Sequence, residues 1–231
     1  MKKQRRKFIK KINRKLNKKT INNKVFCVGL HKTGTTTLAN YFNQFGFKTI
    51  HSTDWMNDNS KLEAFDFFSD GGSHFDDINE FPIEKLYNQF ENSKFILQTR
   101  NTDKWIISKL KHAGWDKNTE ITDNDISKIK HEEWKYKSLL TIEKFIEHKI
   151  NYENKVKSFF KEKKSNRLLV VDITNKKERL QEIKKLKNFL RLKSINNIDV
   201  PHSNKRSSEV EVTSEIREFT EKVIKEKIKL S

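Results

Sequence analysis

The chain has 231 residues, of which 34% are hydrophobic and 35% charged, and it carries a formal net charge of +18. Its length suits one ordinary domain with a tail or insertion, and its six glycines and two prolines exclude a collagen-like or low-complexity chain. Its single cysteine, Cys27, excludes an internal disulfide or a cysteine-based metal site; no apolar run reaches the roughly 20 residues that span a bilayer, and no signal-peptide apolar region opens the chain, so the expectation is a helix-rich, cytoplasmic protein.

The charge is unevenly placed. Residues 1–24 hold twelve of the 49 Lys and Arg and no acid, while the remainder carries 37 basic against 31 acidic side chains. The division expected is a basic N-terminal arm over 1–23 and a single α/β domain over 24–231. Within the arm Phe8, Ile9, Ile12 and Leu16 fall at helical spacing, which predicts a short amphipathic helix. Its partner would be an acidic membrane surface or nucleic acid; a solvated, poorly ordered terminus is the other reading.

Val25-Phe26-Cys27-Val28 is a short buried-strand run ending at Gly29. Leu38, Tyr41, Phe42 and Phe45 then recur at helical spacing up to Gly46, a residue suited to end a helix. Phe47-Lys48-Thr49-Ile50 reads as a second strand reaching His51. This strand, loop, helix, strand order opens a parallel-sheet protein. Ser60-Lys61-Leu62-Glu63 fits a capping box, residues 64–82 read as irregular, and Pro82 opens a helix to Phe90. Lys94–Thr99 is a strong strand, followed by Arg100 and a helix from about Asp103 to His112. Residues 122–164 carry polar helical patterning with Trp134, Leu139, Leu140, Ile142, Phe145 and Ile146. Leu168–Val171 reads as another buried strand ending at Asp172, and Leu180, Ile183, Leu186 and Leu190 give the next helix an apolar stripe. Ser208 and Glu211 fit a second capping box before a C-terminal helix.

Between the first strand and helix runs Gly29-Leu30-His31-Lys32-Thr33-Gly34-Thr35-Thr36. A glycine-rich turn here directs backbone N–H groups and the positive end of the helix dipole at one point, where a phosphate binds well. Gly29 and Gly34 hold the two glycine positions of a G-x-x-x-x-G phosphate loop. In a nucleotide triphosphatase a Lys follows the second glycine; here Thr35 does, and the lysine sits earlier, at Lys32. Lys32 with Thr33, Thr35, Thr36 and Thr37 suits a single phosphate and its bridging oxygen better than a β/γ-phosphate pair with Mg²⁺.

The run Gly-Leu-His-Lys-Thr-Gly-Thr-Thr-Thr at 29–37 resembles the phosphosulfate loop of the sulfotransferases that use 3′-phosphoadenosine 5′-phosphosulfate. A second element agrees: the strand at 95–99 ends in Arg100, and Ser108 follows eight residues later, the spacing of the family's 3′-phosphate ligands. Arg supplies a bidentate fork and Ser a neutral donor. Phe65-Asp66-Phe67-Phe68-Ser69-Asp70 resembles the family's bacterial-type Phe-Asp-Ala stretch, and Pro201-His202-Ser203-Asn204 its late Pro-His-x-Asn segment. Gly71-Gly72 departs from the pattern, which has a proline nearby. The resemblance covers about 24–206. It implies a P-loop-type three-layer α/β core, a central parallel sheet flanked by helices with helix-rich insertions. It further implies donor binding by Lys32, Thr33, Gly34, Thr35, Thr36, Thr37, Arg100 and Ser108, and no metal ion.

Sulfuryl transfer needs charge relief on the leaving phosphate, for which Lys32 is the candidate, and a base for the acceptor proton. His51 and Asp70 are the candidate bases, with His74 a third; Asp70 could instead cap a turn and His51 could be a polar strand end. His31 is read as shaping the loop, His112, His131 and His148 as solvated, and Asp172 as capping a turn with Asn175. The acceptor is a hydroxyl or amine on a carbohydrate, lipid or small metabolite. A P-loop kinase or NTPase is the rival enzyme, for which the glycine spacing and Asp172 speak. A nucleic-acid-binding module with a decayed donor site is the rival from another class, although no specific nucleic acid is expected. Oligomeric state is left open.

Overall fold

The computed structural model describes residues 2–71, 82–121, 137–194 and 212–229. It divides into two compact units, Met1–Thr99 with Lys155–Lys205, and Arg100–Asn154 with Arg206–Ser231. Among the described residues no helix is long and apolar enough to cross a membrane.

The first unit is built on five parallel strands: β1 (Val25–Cys27), β2 (Thr49–His51), β3 (Phe67–Ser69), β4 (Lys94–Gln98) and β5 (Leu168–Val171). They lie in the order β2-β3-β1-β4-β5, with helices flanking the sheet, the α/β class expected. Alternation along a strand sends neighbouring side chains to opposite faces. Val25 and Cys27 therefore join one buried cluster with Phe67 and Ile96, which Leu38 and Phe42 of α3 (Thr35–Gln44), its C-cap Phe45, and Ile183, Leu186 and Leu190 of α8 (Arg179–Leu190) cover. Phe26 enters an aromatic cluster instead, its ring centroid 4.8 Å from Phe68, 5.5 Å from Phe95 and 5.8 Å from Trp55. Tyr87 of α5 (Pro82–Gln89) and Phe160 of α7 (Leu139–Glu162) extend that cluster, 5.7 Å apart. The phenylalanine-rich core is thus split into two layers by the sheet.

Several expectations are corrected. Residues 64–82 contain β3, which lies between β1 and β2 rather than in an irregular segment. Helix α4 (Asn59–Ala64) is capped by Asp58, whose Oδ1 accepts from the Lys61 N–H at 3.2 Å, so Ser60 lies inside the helix. An aspartate at this position offers a charged acceptor to the orphan first-turn N–H groups. Strand β5 is an edge strand with Val170 39% exposed, and Leu180 is 81% exposed, leaving the α8 stripe to Ile183, Leu186 and Leu190. Trp134, His131, the segment Pro201–Arg206 and the capping box at Ser208 lie outside the described residues.

The basic arm is folded. Helix α1 (Lys2–Leu16) and the short α2 (Lys18–Asn22) pack on the same unit. Asn13 donates to the Gln44 carbonyl at 3.0 Å and Arg14 to the Gly46 carbonyl at 2.8 Å and the Asp66 carboxylate at 2.5 Å. Asn17 exchanges two 2.8 Å hydrogen bonds with the Lys193 backbone. Gly46 has φ +91°, and a Cβ there would stand 2.6 Å from the Arg14 Cα, so the glycine that ends α3 also admits α1.

The second unit contains α6 (Thr102–His112), the first part of α7 and α9 (Ser214–Lys229). Asn101 caps α6 by accepting the Lys104 N–H at 3.1 Å. Lys149, buried, pairs with Glu153 at 2.8 Å one turn on, and Lys227 of α9 reaches Glu143 at 3.1 Å.

Candidate active site

In an open parallel sheet, ligands bind beyond the carboxyl ends of the strands. The loop after β1, His51 at the end of β2, Asp70 after β3 and Gln98 at the end of β4 all belong to that edge.

The loop is held by its glycines. Gly29 donates its N–H to the buried Gln98 Oε1 at 3.0 Å, and a Cβ at 29 would stand 2.1 Å from the Gln98 carbonyl oxygen, so only glycine lets β4 approach this closely. Gly34 has φ +97° and precedes α3 as its cap residue, and being glycine it makes no side-chain cap hydrogen bond. A Cβ at Gly34 would meet Ile173 Cδ1 at 2.9 Å. Lys32 also adopts a left-handed conformation, φ +64°. Thr33 is buried and its hydroxyl donates to the Leu30 carbonyl at 2.5 Å, which closes the turn internally.

The first N–H groups of α3 have no acceptor within the helix, and no acidic side chain lies in its first turn. The start of a helix beside a lysine-bearing loop offers backbone N–H donors and a cation to an anionic group such as phosphate or sulfate, while the Thr35 hydroxyl is given to Asp70.

Asp70 connects the loop to β2. Its Oδ1 lies 3.0 Å from His31 Nδ1 and accepts from the Thr35 hydroxyl at 3.2 Å, while its Oδ2 lies 3.5 Å from His51 Nε2. His51 Nε2 is also 3.0 Å from the Thr36 hydroxyl, and its Nδ1 is 3.1 Å from the Ser69 hydroxyl. The β2–β3 register sets this up by pairing His51 with Ser69. The Trp55 indole N–H donates to the Ser69 carbonyl at 3.1 Å and fixes the end of β3, and Asp70 itself sits at φ +64°. Burial pushes the Asp70 carboxyl up, but the His31 hydrogen bond, the His51 and His31 charges and the Thr35 hydroxyl outweigh it and hold it below the ordinary carboxylate range.

Thus Asp70, His51, Thr35 and Thr36 are brought together, and His31 joins them, a role its sequence position in the loop did not reveal. Gln98 and Ser69 are two supports also missed, because each acts only through strand register. Arg100 and Ser108 belong to the second unit, Arg100 just before α6 and Ser108 on its second turn. Asp172 accepts from the Thr174 N–H at 2.8 Å, the Thr174 hydroxyl at 2.6 Å and the Asn175 N–H at 3.2 Å, a turn cap. His74 lies outside the described residues. Cys27 is fully buried, and burial pushes its thiol up, which suits packing rather than nucleophilic chemistry. Among the described residues no group of three or more His, Cys, Asp or Glu could hold a metal ion.

Comparison with known families matches residues 24–208 to a family described as a sulfotransferase domain. No curated protein matches the chain.

Proposed function

Because the chain belongs to the sulfotransferase domain family, we propose that it moves a sulfuryl group from 3′-phosphoadenosine 5′-phosphosulfate to a hydroxyl or amine of an acceptor. The observation that carries this reading is the start of α3, capped by a glycine and with no acidic residue in its first turn, behind a loop whose lysine precedes the second glycine. In the proposed assignment Lys32, the α3 N–H groups and Thr35, Thr36 and Thr37 hold the sulfated 5′-phosphate. Arg100 and Ser108 hold the 3′-phosphate, by the spacing that the family resemblance supplies. Carbohydrate, lipid and small-metabolite acceptors all present suitable oxygens or nitrogens.

In the transfer the bond from sulfur to the bridging oxygen breaks, and a bond from sulfur to the acceptor oxygen or nitrogen forms. Lys32 and the loop N–H groups offset the negative charge left on the departing phosphate. The acceptor proton goes to His51. With its Nδ1–H donated to Ser69, the Nε2 lone pair accepts from the Thr36 hydroxyl at 3.0 Å; that hydroxyl turns aside when Nε2 takes the acceptor proton, and Nε2 itself lies 3.5 Å from Asp70 Oδ2. The tautomer is assigned from this hydrogen-bond network. Asp70 then acts by orienting imidazoles and offsetting their charge, since a carboxyl held below its ordinary range is a weaker proton acceptor.

A P-loop kinase requires Lys where Thr35 stands and a free acid where Asp172 is tied into a turn. Thermal denaturation with added nucleotides separates the two. Adenosine 3′,5′-bisphosphate alone is expected to raise the melting midpoint by ligand linkage; a rise only with ATP and Mg²⁺ would overturn the sulfotransferase reading.

A further inference from the structure

The outward face of α1 is not used by the donor site. Its inward face is spent on docking: Lys10 donates to Asn43 at 2.9 Å, and Asn13 and Arg14 bind the end of α3 and Gly46. At 100° per residue, Phe8, Ile12 and Leu16 lie on the other side in one stripe. Phe8 is 64% exposed and Leu16 44% exposed, while Ile12 is half-buried. Arg5 lies within that stripe and Lys15 and Lys11 beside it, an arc of about 140° in all, and all three are exposed, as is Lys7. No acidic residue occurs before Asp54, so no acid within the arm balances these charges.

Two large apolar side chains held in water beside three exposed cations form a composite surface. Cations alone would suit any polyanion. The exposed aromatic and aliphatic groups need an apolar phase directly beneath an anionic layer, which the head-group boundary of a bilayer supplies and a nucleic-acid backbone does not. A 15-residue helix, about 22 Å long, can lie flat on such a plane along its whole stripe. Its docking to α3 and Asp66 fixes this face to the folded unit rather than leaving it on a loose tail.

We propose that the outward face of α1 binds the anionic surface of a lipid bilayer, with Phe8 and Leu16 entering the head-group boundary and Arg5, Lys11 and Lys15 pairing with lipid phosphates and carboxylates.

The test is sedimentation of the full chain with vesicles of phosphatidylcholine, with and without phosphatidylserine, over a range of salt. Binding is expected only where phosphatidylserine is present, and it weakens as salt rises. The triple variant Arg5→Gln, Lys11→Gln, Lys15→Gln is expected to lower partitioning by about fivefold per charge removed. The double variant Phe8→Ser, Leu16→Ser is expected to lower it further than salt alone does. All five positions are on the outward face, so both variants should melt as the parent does, which separates lost binding from lost fold. Equal binding to both vesicle types, no binding to either, or retention in either variant would overturn the proposal. So would binding of a nucleic-acid duplex that displaces the vesicles and survives the Phe8→Ser, Leu16→Ser change.

Discussion

Asp70 is the side chain through which the loop and the end of β2 are tied, with one oxygen facing His31 and Thr35 and the other His51. Because its folded-state carboxyl lies below the ordinary range, ionised Asp70 contributes stability above its unfolded pKa of roughly 3.9, and that contribution is lost as pH falls through the lower folded value. Asp70→Asn should therefore lower the melting midpoint at neutral pH, and the gap to the parent should narrow through that acid window. A gap independent of pH would show that the carboxylate charge is not what matters. For catalysis, His51→Ala should lower kcat by about 10²–10⁴-fold, the range of a positioned proton acceptor, with donor binding little changed. Lys32 was legible from the glycine spacing of its loop, His51 from its place at the end of a short strand run, and Asp70 from the family motif that its stretch resembles. Their convergence was not, because it depends on which residue of β3 stands beside His51, and no local pattern encodes a parallel register.

At the scale of elements, two glycines make a sharp claim. Gly29→Ala would drive a methyl group to 2.1 Å from the Gln98 carbonyl oxygen, and Gly46→Ala would drive one to 2.6 Å from the Arg14 backbone. The first should destabilise the fold by about 1–3 kcal/mol or more, as overpacking does, measured by denaturant unfolding. The second should loosen α1 alone, read as faster proteolysis within residues 2–22 while the sheet stays protected. Strands β1 and β4 were legible because they are continuous apolar runs bounded by turn residues. Strand β3 was hidden by brevity, three residues with Asp66 before it and Asp70 after it, so its Phe67-Phe68 pair read as a motif rather than a strand. Leu180 kept the spacing of a buried stripe yet is exposed; periodicity identifies a helix face, and only packing decides how wide the covered part is.

At the scale of the whole molecule, composition was a fair guide to class and a poor one to partners. The formal charge of +18 suggests a polyanion, whereas most of it resides in an arm that folds onto the unit holding the parallel sheet and points one face outward. The abundant phenylalanines fill both sides of a thin sheet, and Phe26, at the centre of the aromatic side, should lose about 3–5 kcal/mol of stability on change to alanine. The proposed assignment gives the sulfated 5′-phosphate to Lys32 and the 3′-phosphate to Arg100, so the central claim is a division of labour between two phosphates. Calorimetric titration with adenosine 3′,5′-bisphosphate and with adenosine 5′-monophosphate tests it directly. The bisphosphate should bind more tightly to the parent chain, Arg100→Ala should erase that preference, and Lys32→Ala should weaken both nucleotides. Equal affinity of the parent for the two nucleotides, or a preference that survives Arg100→Ala, would contradict the account.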